Sequence, residues 1–258
     1  MSKPNDIKGL VLDMDGVLYV DDAAIPGANT TLRVLRDKGI PLRFITNTST
    51  RSPEELQRKM SALGLEVQAS EIFSAVAATC QYLEQAGRPR CHLLVAEAVE
   101  ACLEKFPRDD HSPDFVVIGD IGERWNYTLL NEVFCMLMRG ARLVCMHRNK
   151  YWETAQGLKM DIGAFVAGLE YVSGKQAIVV GKPSWELFRL TVHSLGLTAN
   201  KVAIVGDDIE TDIGGGQAAG LQGILVRTGK YRDELVAQSP VRPDHVIASI
   251  AELPALLR

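Results

Sequence analysis

Gly9-Leu10-Val11-Leu12-Asp13-Met14-Asp15-Gly16 is an apolar run that stops abruptly at two acids and a glycine. Three later stretches repeat the pattern: Leu42-Arg43-Phe44-Ile45-Thr46-Asn47, Ile178-Val179-Val180-Gly181-Lys182-Pro183 and Val202-Ala203-Ile204-Val205-Gly206-Asp207-Asp208. Runs of this length, rich in β-branched residues and closed by glycine, proline or a polar group, read as buried parallel strands. In an open α/β sheet, ligands bind in the crevice outside the carboxyl ends of the strands. The pattern therefore predicts that Asp13, Asp15, Thr46, Asn47, Lys182 and Asp207 meet in one place. Several carboxylates, one lysine and two small hydrogen-bonding side chains are what Mg²⁺-assisted phosphoryl transfer requires.

Each residue has a role that its chemistry permits. An aspartate is ionised at neutral pH, so Asp13 can attack phosphorus without a general base. Repulsion between Asp13 and an anionic phosphate is the obstacle, and Mg²⁺ together with the Lys182 ammonium would offset it. Asp15 can protonate the leaving oxygen and then deprotonate the attacking water. Asp207 adds a hard oxygen ligand for Mg²⁺. Thr46 and Asn47 can donate hydrogen bonds to phosphate oxygens. Any one of these motifs alone has a plain structural explanation, such as an acidic turn or a helix N-terminus; four in chain order point to a site.

The surrounding sequence alternates strands and helices. Helices are expected over 26–38, stopped by Gly39, and from Pro53 to about 63, with Ser52 as N-cap and Glu54 and Glu55 in the first turn. Others are expected over about 74–85, 184–195 and 212–219, with further strands at 223–226 and 245–247. Between the halves lies a long insertion with strands near 92–95, 114–118 and 142–146 and helices near 96–105, 127–139 and 162–170. This predicts an α/β, doubly wound parallel-sheet core, discontinuous over 1–79 and 178–258, with an inserted α/β cap domain over 80–177.

Composition narrows the function. The 258 residues carry a formal net charge of −4 without a basic stripe, so nucleic acid is not an expected partner. The opening Met1-Ser2-Lys3-Pro4-Asn5-Asp6 lacks the apolar stretch of a signal peptide, and no apolar run reaches the ~20 residues that span a bilayer. A cytoplasmic protein with no membrane partner is expected. Cys80, Cys91, Cys102, Cys135 and Cys145 form no Cys-x-x-Cys pair and read as small buried hydrophobes. Gly214-Gly215-Gly216-Gln217-Ala218-Ala219-Gly220 does not directly follow a strand, so close helix–sheet packing is a better reading than dinucleotide binding.

Asp13-Met14-Asp15-Gly16-Val17-Leu18, Thr46-Asn47, Gly181-Lys182-Pro183 and Gly206-Asp207-Asp208 with Asp212 resemble the four motifs of the haloacid dehalogenase (HAD) superfamily. The insertion between the second and third motifs resembles its NagD-like subclass. Stretches such as Gly163 to Tyr171 and Gly223 to Tyr231 are similar to the branch of phospholysine phosphohistidine inorganic pyrophosphate phosphatases. The resemblance implies Asp13 as nucleophile and Asp15 as acid/base. It implies Mg²⁺ held by Asp13, the Asp15 backbone carbonyl and Asp207, and a phosphate contacted by Thr46, Asn47 and Lys182. It places Asp208 and Asp212 behind these, and implies a small phosphorylated substrate and a homodimer through the cap. Many caps of the subclass carry Thr-Asn-x-Asp where this chain has His147-Arg148-Asn149-Lys150-Tyr151-Trp152, so the substrate classes of the subclass do not carry over directly. Because the run follows a predicted cap strand it is expected to touch the leaving group, a solvated turn being the alternative.

The expected activity is Mg²⁺-dependent hydrolysis of a phosphate monoester, phosphoamidate or pyrophosphate. A phosphomutase or another phosphotransferase of the same fold is the nearest alternative. Dehalogenation needs neither Mg²⁺ nor a second acid, so Asp15 and Asp207 count against it. A receiver-like signalling module phosphorylated on aspartate shares the acids and the lysine, but has no large inserted domain.

Overall fold

The computed structural model describes residues 6–154 and 157–257; Met1 to Asn5 of the opening segment lie outside them. The chain divides into two compact units. One comprises the residues up to Thr46, Pro53–Phe73 and the chain from Lys182 onward; the other comprises Asn47–Ser52 and Ser74–Gly181.

A six-stranded sheet organises the first unit, in the order His245–Ile247, Gln222–Val226, Val202–Gly206, Gly9–Asp13, Leu42–Thr46 and Ile72–Ser74. The pairings from His245–Ile247 through Leu42–Thr46 are parallel. Gly9–Asp13 and Val202–Gly206 are buried at every position, as expected of strands covered on both faces. Leu10, Leu12, Phe44, Val205, Ile224 and Val226 share one core with Leu32 and Leu35. Helix Ala28–Asp37 buries Ala28, Thr31, Leu32 and Leu35, an i, i+3, i+4, i+7 stripe that turns one face to the sheet. Helix Pro53–Ala62 starts with proline and two acids, and buries Leu56 and Met60 one turn apart.

The second unit repeats the grammar on a smaller scale. Its four strands run in the order Ile178–Val179, Arg142–Cys145, Phe115–Ile118 and Cys91–Leu94, all parallel. Helix Ala75–Gln85 is capped by Ser74 Oγ, which accepts the Ala77 N–H at 3.2 Å. Helix Tyr127–Met138 is capped in the same way by Asn126, 3.1 Å from the Leu129 nitrogen. These caps satisfy N–H groups that have no partner within the helix. Helices Tyr127–Met138 and Gly163–Ser173 share one core with the sheet through Val133, Leu137, Val166 and Leu169. An antiparallel hairpin, Tyr151–Thr154 with Gly157–Met160, completes the unit.

One strand sits in a different sheet from the one expected. Ile178–Val179 pairs with Arg142–Cys145 instead of joining the Asp13 sheet. Its side chains are half-buried, and the ladder continues from the Val180 N–H to Cys145 O and from the Gly181 N–H to Met146 O. An apolar run states that a strand is buried, not which sheet buries it.

The cysteines are free. Burial pushes the Cys80 and Cys91 thiols up to about 11 and Cys145 to about 12, so these three are poor nucleophiles at neutral pH. Among the described residues no helix is long and apolar enough to cross a membrane.

Candidate active site

The six-stranded sheet reverses direction at its centre. From Gly9–Asp13 the chain proceeds outward to Leu42–Thr46 and Ile72–Ser74, and later returns to Val202–Gly206 on the other side. That gap is the topological switch point, where α/β sheets place their ligands. Gly9 pairs with Val202 and Leu12 with Val205, so the two strands end level. Asp13 therefore stands at one strand end and Asp207 just beyond the other, 5% and 3% exposed.

Lys182 joins them. Its Nζ lies 2.6 Å from Asp13 Oδ1 and 2.7 Å from Asp212 Oδ1. Burial alone would lower the Lys182 pKa, but the Asp13 and Asp212 charges outweigh it and hold the ammonium above its ordinary value. Lys182 is thus a permanent cation between two carboxylates.

Asp212 is entirely buried. Its Oδ2 accepts the N–H groups of Asp207 and Asp208 at 3.2 and 3.1 Å. Asp208 in turn caps the turn Ile209–Gly214, accepting from the Glu210 and Thr211 N–H groups. Asp212 therefore touches Lys182 directly as well as bracing the Asp207 loop, a closer role than its spacing in the motif implies.

Two glycines make room for Asp207. A Cβ at Gly16 would fall 1.9 Å from Asp207 Oδ2, and one at Gly229 would fall 2.0 Å from the same atom. Both have positive φ, 83° and 59°, so glycine is required twice over. The Lys230 N–H donates to Asp207 Oδ2 at 2.7 Å, and Thr228 Oγ1 donates to Gly16 O. The loop after strand Gln222–Val226 thereby clamps the loop after Gly9–Asp13.

Carboxylate oxygens of Asp13, Asp207 and Asp212 all lie within 4.8 Å of one another. Burial, then Asp13 and Asp212, raise the Asp207 pKa well above the carboxylate range. Burial and Asp13 push Asp212 up to about 6 against the pull of Lys182. A cluster with this excess of buried negative charge, built from hard oxygen donors, fits a Mg²⁺ ion.

Asp15 is exposed at the end of the same loop. Burial of its surroundings raises its pKa, while Lys230, Lys59 and Lys182 pull it down. A carboxyl raised in this way suits proton transfer to a leaving oxygen. Lys230 belongs to the site as well: burial lowers its pKa, but Asp207 and Asp208 raise it further, for a net rise. The sequence reading did not single out Lys230 as a site residue. The available signal was Thr228-Gly229-Lys230 two residues past the apolar run that ends at Val226, with Arg227 between, a looser form of the strand-end pattern of the other motifs.

Asp13, Lys182 and Asp207 are therefore brought together, with Thr46 buried at the end of the strand beside Asp13. Asn47 falls in the second unit, where its Nδ2 donates to Asn149 Oδ1 at 3.2 Å. The run His147–Trp152, expected as one segment, divides. His147 is 4% exposed, Arg148 pairs with Glu170 at 2.7 Å, and Tyr151 and Trp152 are exposed on the hairpin.

Known proteins resemble this chain in sequence and fold. A family profile described as haloacid dehalogenase-like hydrolase matches residues 10–106, and a HAD-hydrolase-like profile matches 179–253. A phospholysine phosphohistidine inorganic pyrophosphate phosphatase from Danio rerio is 37% identical over 95% of this chain and 92% of its own. Haloacid dehalogenase-like hydrolase domain-containing protein 2 from Bos taurus is 36% identical over 90% of this chain and 88% of its own. Among solved structures, a 4-nitrophenylphosphatase from Thermotoga maritima superposes with a TM-score of 0.91 at 28% identity, covering 99% of both chains. NagD from Escherichia coli K-12 superposes at 0.86 with 31% identity, covering 95% of this chain and 98% of that one. The chain belongs to the haloacid dehalogenase-like hydrolases and, within them, to the NagD-like phosphatases with an inserted α/β cap.

Proposed function

We propose that this protein is a Mg²⁺-dependent phosphatase that hydrolyses a small phosphorylated metabolite through an aspartyl-phosphate intermediate. Phosphate monoesters, phosphoamidates and pyrophosphate are the substrate classes in view, the last two because they appear in the name of the Danio rerio relative. The observation that carries the reading is the Asp13 carboxylate, held 2.6 Å from Lys182 Nζ at the switch point beside Asp207 and Asp212.

In this reading Asp13 attacks phosphorus and its Oδ–P bond forms as the leaving-group oxygen or nitrogen departs. Asp15 gives that atom a proton, then takes one from the water that hydrolyses the acyl phosphate. Lys182, Thr46 and Asn47 bind the transferred phosphoryl oxygens. Asp13, the Asp15 backbone carbonyl and Asp207 would hold Mg²⁺, with Asp212 keeping the Asp207 loop in place. The bound ion supplies charge that offsets repulsion between carboxylate and phosphate.

The proposal extends to a cytoplasmic homodimer joined through the cap. Tyr127, Met138, Tyr171 and Val172 are exposed on the neighbouring helices Tyr127–Met138 and Gly163–Ser173, an apolar set that a partner surface would cover. Light scattering at micromolar concentration checks the assembly; a strict monomer rejects it.

The activity is tested with 4-nitrophenyl phosphate, phosphoamidates and pyrophosphate. Excess chelator is expected to abolish turnover and Mg²⁺ to restore it. Asp207→Ala should raise the Mg²⁺ concentration needed for half-activity. Full activity in chelator rejects the metal role, and failure to trap a phosphoenzyme by acid quench rejects the intermediate.

A further inference from the structure

The carboxyl edge of the four-stranded sheet carries a buried polar network that the chemistry above leaves unused. Ser49 and His147 are 2% and 4% exposed. Ser49 Oγ lies 3.3 Å from His147 Nε2 and accepts the Asp120 N–H at 3.1 Å. His147 Nδ1 accepts the Asn149 N–H at 3.4 Å. A ring nitrogen that accepts carries no proton, so in the neutral imidazole the proton sits on Nε2 and is donated to Ser49. The side-chain carbonyl of Asn149 then accepts from the Asn47 amide at 3.2 Å.

With Asp161 Oδ2 4.0 Å from His147 Nδ1, the trio Ser49, His147 and Asp161 resembles a nucleophile with its base. The hydrogen bonding argues otherwise. Ser49 accepts from the imidazole, so the imidazole cannot serve as its base. The other oxygen of Asp161 accepts the Ile162 N–H at 2.7 Å. The hydrogen bonds that are formed make the network a frame for its neighbours.

What it holds is Asn47. On one side stands Asn149. On the other is Gly181, where a Cβ would fall 2.6 Å from Asn47 Oδ1 and 2.3 Å from Met146 O. The segment bearing Asn149 is itself pinned: the Gly163 N–H donates to Asn149 O at 3.1 Å, and a Cβ at Gly163 would fall 2.4 Å from that oxygen. Amide planes are oriented by their partners, and Asn149 is one that Asn47 meets at its nitrogen, with Gly181 packed close to its oxygen.

We propose that Asn149, itself set by His147, is a positioning residue that orients the Asn47 amide for the phosphoryl group. This rests on the proposed phosphate contact of Asn47. It makes His147 and Asn149, within the run that departs from the Thr-Asn-x-Asp pattern, determinants of phosphate affinity and not of leaving-group choice.

A double-mutant cycle tests it. Asn47→Ala, Asn149→Ala and the pair are compared by kcat/KM for 4-nitrophenyl phosphate and by inhibition with inorganic phosphate. Asn149→Ala is expected to weaken both by roughly tenfold, the effect of one neutral hydrogen bond. Added to Asn47→Ala, it should cost little more. Leaving-group ranking across aryl phosphates should not move. Equal losses in both backgrounds, or no loss from Asn149→Ala, overturn the positioning role. If Asn149→Ala does not fold, the same cycle is run with His147→Gln, for which the same non-additivity is expected. Turnover that survives Asp13→Asn rejects the phosphatase reading itself. Unchanged phosphate inhibition in Asn47→Ala rejects the Asn47 contact, and this inference with it. Additivity in an enzyme that passes both checks rejects the positioning role alone.

Discussion

The two parallel sheets share an architecture and differ at their carboxyl edges. The six-stranded sheet ends in charge: Asp13, Asp207 and Asp212 around Lys182, with Lys230 close by. The four-stranded sheet ends in hydrogen-bonding groups, Ser49, His147, Asn149 and Asn47, with the single Asp161 carboxylate 4.0 Å from the His147 ring. Parallel strands deliver residues to a common rim whatever those residues are. Charges excluded from water are costly unless paired or metal-bound, which is the ground for proposing an ion and an anionic substrate at the first rim. A network held mainly by hydrogen bonds between side chains and backbone serves as a frame.

The largest contrast should come from removing charge at the first rim. Asp13→Asn keeps the shape but removes the charge proposed to attack phosphorus, so kcat for 4-nitrophenyl phosphate should fall by about 10³ or more while circular dichroism is unchanged. Near-normal turnover in a preparation free of other phosphatases would make the two rims equivalent and break the comparison.

Next is the cation. Lys182→Met leaves Asp13 and Asp212 buried without their counter-charge. Breaking a buried pair on one side costs about 3–5 kcal/mol, to be read from urea unfolding. Asn149→Ala at the second rim should cost no more than about 1–2 kcal/mol on the same scale. Equal losses would show that Lys182 is solvated and the first rim less dry than its burial states.

A sharper comparison uses two glycines of positive φ. Gly174, at the end of helix Gly163–Ser173, has φ 67° and nothing within 4 Å of an added Cβ. Gly229 has φ 59° with Asp207 Oδ2 2.0 Å from that Cβ. Gly174→Ala should cost about 1 kcal/mol from backbone strain alone. Gly229→Ala should cost about 1–3 kcal/mol and also raise the Mg²⁺ requirement, because Asp207 must move. An unchanged Mg²⁺ titration in Gly229→Ala would remove Asp207 from the metal's holders.

The smallest effect lies away from both rims. Arg36 grips Glu71 with two hydrogen bonds, at 2.8 and 2.7 Å. Burial raises the Glu71 pKa, but Arg36 and the Gln68 N–H outweigh it and hold the carboxyl below its ordinary 4.5. A depressed carboxylate stabilises the fold fully above its unfolded pKa, and that contribution is lost as pH falls through the folded value. Glu71→Gln should therefore lower stability by under about 1 kcal/mol at neutral pH, and the gap should close in acid. A gap that widened in acid would contradict the direction of the shift.

Much of this protein was legible in its residues because the signals are local. Strand Gly9–Asp13 and helix Pro53–Ala62 follow from apolar runs, a proline start and acids in the first turn. Meeting of Asp13 and Asp207 followed from strand ends and chain order, whereas Lys182 meets Asp13 although the strand before it belongs to the other sheet. Which sheet receives a strand is a different kind of fact. Ile178–Val179 has the composition of a core strand and joins the other sheet, since pairing depends on which backbone edge lies within reach. Lys230 enters the site through a loop that closes over Asp207, and Asp212 touches Lys182 because the turn Ile209–Gly214 folds back beneath Gly206. His147 reads as one member of a basic, aromatic run and is in fact a buried member of a hydrogen-bonded network. By itself the sequence determined the elements, their order and the chemical inventory, because propensity and periodicity act between near neighbours. The tertiary structure alone decided which of those groups face each other, because burial and hydrogen bonding join residues far apart in the chain.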